Sequence, residues 1–139
     1  MDDWSPIGEH RFRQQGEVLC FVPHGVLSPA QAEVWLAALV RHFQQHRNGL
    51  LLIDARELRP PGAEVRRLML SALREFQLRP RLIIFGANVV TRAVSRLVLA
   101  AARQLHQIHL ELTHCSSAAD AWACVDQMRE LSIESKPRL

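Results

Sequence analysis

The chain has 139 residues, 48% hydrophobic, 22% charged and 6% aromatic, with a formal net charge of +3. That composition fits one globular domain able to bury a core without metal or disulfide staples, and it excludes a disordered tail, a collagen-like chain and a disulfide scaffold. Sixteen arginines and one lysine, Lys136, carry the positive charge; so small an excess, spread along the chain, predicts no nucleic-acid partner.

No apolar run approaches the ~20 residues that span a bilayer. The acidic start, Met1-Asp2-Asp3-Trp4, lacks the apolar stretch of a signal peptide. Cys20, Cys115 and Cys124 are scattered without C-x-x-C spacing, which predicts reduced thiols and a cytoplasmic setting.

In chain order, residues 1–8 read as an N-terminal extension. His10 to Gln14, with charged neighbours, predicts an edge strand, and Gly16-Glu17 turns the chain. Val18 to Val22 is continuously apolar, which predicts a strand covered on both faces. Ser28-Pro29-Ala30-Gln31 combines a capping serine, a proline at the first helical position and a glutamine able to reach back. Ala32, Leu36, Leu39, Val40 and Phe43 then form a stripe at helical spacing, ended by Asn48-Gly49.

Leu50 to Asp54 predicts a second buried strand, Arg59-Pro60-Pro61-Gly62 a loop, and residues 63–78 a helix with Val65, Leu68, Met69, Ala72 and Phe76 inward. Leu82 to Phe85 predicts a third buried strand. Asn88 is placed to cap a helix whose apolar face includes Val90, Ala93, Val94, Leu97 and Ala101. Ile108 to Leu112 is the last expected strand. Ser116 or Ser117 opens a final helix with Ala118, Ala121, Trp122, Val125 and Met128 on one side, and residues 132–139 read as a polar tail.

Helices between buried apolar strands impose right-handed crossovers and a parallel sheet. With the first two strands antiparallel, the expected architecture is α/β: a mixed, mostly parallel five-stranded sheet with about four helices, in one domain over residues 9–131.

Four stretches together resemble a known family. Pro23-His24-Gly25-Val26-Leu27-Ser28-Pro29-Ala30-Gln31-Ala32 is similar to a strand end, glycine and capped first helix of the SpoIIAA-like, or STAS/SEC14-like, domains of the STAS superfamily. Leu50 to Asp54 resembles their central strand ending in an acid. Phe85-Gly86-Ala87-Asn88-Val89-Val90-Thr91-Arg92 resembles their strand, small-residue turn and third helix, and Ala119-Asp120-Ala121-Trp122 the start of their last helix. The resemblance implies a bacterial, non-enzymatic regulatory or protein-interaction module; its SEC14 side implies, as an alternative, a carrier of lipid or another small molecule. One departure matters. Phosphorylatable STAS domains carry an Asp-Ser-Ser-Gly-like motif after the central strand, whereas Ala55-Arg56-Glu57-Leu58-Arg59-Pro60-Pro61-Gly62 contains no serine or threonine, so no phosphoserine switch is expected there.

Two surfaces are candidates. The first is the loop bearing Asp54, Arg56, Arg59, Pro60, Pro61, Gly62 and Glu64, at the carboxyl end of a strand, where open α/β sheets place ligands, and stiffened by two prolines. The second is the helix start at Gly86, Asn88, Thr91 and Arg92, whose amides and arginine suit an anion such as a phosphate or acidic headgroup. No catalytic constellation is present. His42 and His46 share a helix face but lack the glutamate of H-E-x-x-H, and His106, His109 and His114 straddle a helix end and a strand, so no metal site is expected. G-x-S-x-G and Gly-Lys-Thr/Ser loops are absent, and no cofactor is predicted. The partner is expected to be a protein or a second copy pairing across the edge strand. Because the helix stripes look fully used by so small a sheet, no apolar cavity is expected.

Overall fold

The computed structural model describes residues 4–106 and 110–135. Ten elements follow in order: β1 (Ser5–Ile7), β2 (His10–Gln15), β3 (Val18–Val22), α1 (Pro29–Gln45), β4 (Leu50–Asp54), α2 (Ala63–Glu75), β5 (Arg81–Phe85), α3 (Val89–His106), β6 (Glu111–Cys115) and α4 (Ala118–Ser135). The six strands form one sheet in sequence order. β1, β2 and β3 pair antiparallel, and β3 through β6 pair parallel.

Period-2 alternation sorts each strand onto two faces. Leu19, Phe21 and Leu51 pack with Trp35, Leu36, Leu39 and Phe43 of α1 and, partly buried, Leu68, Met69 and Leu73 of α2. Val18, Cys20, Leu50, Leu52, Ile83 and Phe85 pack with Ala121 and Val125 of α4. Successive parallel crossovers of one hand therefore stack α1, α2 and α3 on one face and leave the other to α4.

α1 begins as its sequence predicts. Ser28 Oγ accepts from the Gln31 amide at 3.2 Å, and Gln31 Oε1 accepts from the Ser28 amide at 3.0 Å. The same Gln31 oxygen accepts from Nε2 of the buried His10 at 3.2 Å, whose Nδ1 accepts from the His24 amide at 2.9 Å. One capping box thus ties the start of α1 to β2 and to the segment after β3.

Four expectations are corrected. The sheet has six strands, not five: Ser5–Ile7 is a strand within the segment set aside as an extension, pairing Ile7 with His10 and burying Ile7. Consequently β2 is not the outermost strand: β1 pairs along His10–Phe12 and becomes the edge there, while Arg13–Gln15 have no partner in β1. The last strand lies at Glu111–Cys115, set by its register with β5 from Arg81↔Glu111 to Phe85↔Cys115; residues 107–109, including His109 and the expected strand start Ile108, lie outside the described residues. α4 continues to Ser135, so the helix enters what reads as a tail, of which residues 136–139 lie outside the described residues.

Two helices also differ in the side they present. α2 ends at Glu75, where Gln77 takes a positive φ of 53° and the Leu78 amide bonds back to the Leu73 carbonyl at 3.0 Å, a left-handed stop that turns Phe76 outward. On α3, Val90 and Leu97 are 66% and 71% exposed, while Thr91, Val94, Val98 and Ala102 face the interior.

Candidate functional site

The two predicted surfaces meet at the carboxyl ends of β4 and β5. The loop after β4 is fastened to the segment after β3 by a parallel bridge between Gly25 and Leu58. Gly25 donates its amide to the Glu57 carbonyl at 2.8 Å, and Arg59 donates its amide to the Gly25 carbonyl at 3.4 Å.

Asp54, at the end of β4, is buried, and its carboxylate is met by one residue. Arg56 donates Nε to Oδ1 at 2.9 Å, Nη2 to Oδ2 at 2.6 Å and its own amide to Oδ1 at 3.2 Å. The fork matches a carboxylate's two oxygens. Burial alone would raise the Asp54 carboxyl, but the hydrogen bonds and charge of Arg56, with a smaller contribution from His24, hold it below the usual carboxylate range. Arg56 itself stays largely in solvent and passes over the Phe85 ring, its guanidinium carbon 5.9 Å from the centroid.

Arg56 then reaches the second surface. Gly86 has φ +76°, and a β-carbon there would come within 2.5 Å of Arg56 Cγ. The small-residue turn after β5 is what lets the Arg56 chain lie flat. Asp54 and Arg56, with Arg11, His24 and Glu57, line a polar hollow of about 310 Å³ over the ends of β3 and β4. Within it His24 Nδ1 contacts the Glu57 carboxylate.

Asn88 caps α3, its Oδ1 accepting from the Thr91 amide at 2.8 Å. The amide an anion would use is therefore taken by this side chain. Thr91 is buried. Arg92 is half-buried, and its Nε has no partner among the described residues. Nearby on β6, both ring nitrogens of His114 are buried without partners among the described residues; burial first, then Arg92 and Arg96, lower its pKa. No carboxylate answers these groups among the described residues.

Further along the loop, Arg59, Pro60 and Pro61 do not join the polar hollow. They border an apolar cleft of about 220 Å³ that also reaches Thr91. Gly62 is the N-cap of α2 and supplies no side-chain bond, and Glu64 is exposed in the first turn, where its charge favours the helix dipole. The cleft is what sequence reasoning missed.

The remaining candidates are occupied structurally. His42 donates Nε2 to the Glu17 carbonyl at 2.9 Å, and His46 accepts from the Gln14 amide group at 3.0 Å. His114 and Cys115 alternate to opposite faces, the first beside Ile84 and the second beside Phe85. The Cys115 thiol is pushed up by burial and then by its neighbour Cys124, the reverse of what an activated nucleophile requires.

An open mixed sheet with three helices on one face and a fourth on the other, with loops gathered at the strand ends, defines the class: an open-sheet α/β domain. No family model matches the chain, and no curated protein matches it. Among solved structures it is similar to the anti-sigma factor antagonist SpoIIAA in its unphosphorylated form. The identity is 14%, the match covers 86% of this chain and 97% of that one, and the TM-score is 0.58. The fold is that of SpoIIAA. Among the described residues no helix is long and apolar enough to cross a membrane.

Proposed function

We propose that this domain is a non-enzymatic regulatory module that binds a protein partner, or a second copy of itself, through the end of the molecule where the β4–α2 loop meets the start of α3. The observation that carries it is exposed apolar surface beside unneutralised cations. Val89 and Val90 are 82% and 66% exposed at the start of α3, where a helix of a self-sufficient monomer normally shows polar residues. Arg59 and Arg92 make no ion pair among the described residues. A partner with an apolar patch rimmed by carboxylates matches that surface. Arg92 would supply the anion contact rather than the helix amides, because Asn88 already holds the Thr91 amide. The β4–α2 loop offers no hydroxyl for phosphorylation, so this surface would be constitutive. A cytoplasmic setting suits the three thiols.

The test pairs two variants. Val89→Glu with Val90→Glu should abolish the complex while leaving the melting temperature nearly unchanged. Val34→Glu, at an exposed apolar position on α1, should leave the complex intact. Equal loss in both, or in neither, would refute the assignment of the surface.

A second reading, a small-molecule binder, is favoured by one observation: the apolar cleft beneath the same loop.

A further inference from the structure

α2 has one fully buried residue, Val65. Leu68, Met69, Leu70 and Leu73 on the same helix are half-buried, and so are Val94, Val98 and Leu99 opposite them on α3. Leaving so many large apolar side chains partly wet forgoes stabilisation at each. They are partly wet because α3 does not close onto α2. The gap is the cleft of about 220 Å³, floored by Leu82, Ile84 and Leu112.

Chain topology makes the cleft polar at one end only. At the amino ends of the strands its walls are Leu73, Leu82, Ala102 and Leu110. At the carboxyl ends they are the Arg59–Pro61 loop, Arg66 and Thr91. Arg59 and Arg66 make no ion pair among the described residues. Among the described residues the Arg66 guanidinium makes one hydrogen bond, Nη1 donating to the Pro61 carbonyl at 3.2 Å. An apolar slot with two arginines at its mouth is complementary to a chain that ends in an anion. Arginine's planar fork matches the two oxygens of a carboxylate.

Volume sets the length. A cavity of ~150 Å³ holds a benzene ring, or ~25 Å³ per carbon. On that scale the cleft takes a chain of roughly eight carbons, and a two-chain phospholipid does not fit. We propose that the cleft between α2 and α3 binds a medium-chain carboxylate, its chain against Leu73, Leu82, Val98 and Leu112 and its head paired with Arg59 and Arg66. This rests on the second reading above, that the cleft is a binding cavity.

The test titrates the full chain with octanoate and, separately, with octan-1-ol, following backbone amide chemical shifts. Octanoate is expected to shift amides around Leu73, Leu82, Val98 and Leu112 saturably, and to bind at least tenfold more tightly than the alcohol. Arg59→Ala, in an exposed loop where the fold is not at stake, should weaken octanoate several-fold and leave the alcohol unchanged. Arg59→Ala with Arg66→Ala should bring the two ligands level. Val98→Trp, which fills the slot, should abolish both, with the helical circular dichroism and its thermal transition retained. Equal affinity for acid and alcohol in the native chain would overturn the carboxylate assignment and leave the cavity standing. No saturable shift with either ligand would overturn the cavity and the proposal together.

Discussion

Arg56 lies across the α-carbon of Gly86, so close that a β-carbon at position 86 would come within 2.5 Å of Arg56 Cγ. Through that contact the loop after β4 and the turn after β5 form one surface. Asp54 anchors it from below, through both oxygens of its carboxylate.

Gly86→Ala should therefore destabilise the domain twice over. A residue with a β-carbon at φ +76° is disfavoured by about 1–2 kcal/mol, and the Arg56 chain must also move. Urea unfolding of Gly86→Ala in the native and in the Arg56→Ala background separates the contributions. The cost should be smaller in the second background by the steric part alone. Equal costs would show that the two residues do not touch.

Asp54 predicts an acid dependence. Its carboxyl is held below the usual range, so the folded form resists protonation more than the unfolded chain does. The stability this contributes is present above the unfolded pKa of about 3.9 and is lost as pH falls through the lower folded value. Asp54→Asn removes it. Urea midpoints of native and variant chains should differ at pH 6 and converge in strong acid. A constant gap at every pH would contradict the ion pair.

His42 predicts a slope nearer neutrality. Burial lowers its pKa first; the bond to the Glu17 carbonyl opposes this, and His46 adds to the lowering. The unfolded chain therefore takes up the proton first, at about pH 6.5, and stability falls from there down to the folded value. Gln at position 42 keeps an amide donor for Glu17 but cannot titrate. His42→Gln should flatten the stability profile between pH 7.5 and its acid end relative to the native chain. An unchanged slope would place the titration elsewhere.

Much of the fold is legible in the sequence because its signals are local. The Ser28–Gln31 capping box, the apolar runs of β3, β4 and β5 and the Asn88 cap each occupy a few consecutive residues. What is not legible depends on tertiary pairing. β1 contains Pro6 and buries only Ile7, so nothing marks it until it pairs with β2. β6 is a half-exposed edge with no apolar run. α3 carries apolar residues on two sides, and periodicity cannot say which side the sheet takes. Trp35 belongs to the α1 core although the simplest stripe passes beside it.

The site divides in the same way. Asp54, Arg56 and Gly86 stand out by residue type, and the structure brings them together. That Arg59, Pro60 and Pro61 turn instead to an apolar cleft depends on the spacing between α2 and α3, which no one-dimensional pattern encodes.

Site-resolved photo-crosslinking in cells tests the central claim most directly. A photoreactive amino acid would be placed singly at Val89 and Arg59, and as a control at Val34 on α1. The account predicts a discrete protein adduct, or a homodimer adduct, at Val89 and Arg59 and none at Val34. Adducts at Val34 alone, or equally at all three positions, would contradict it.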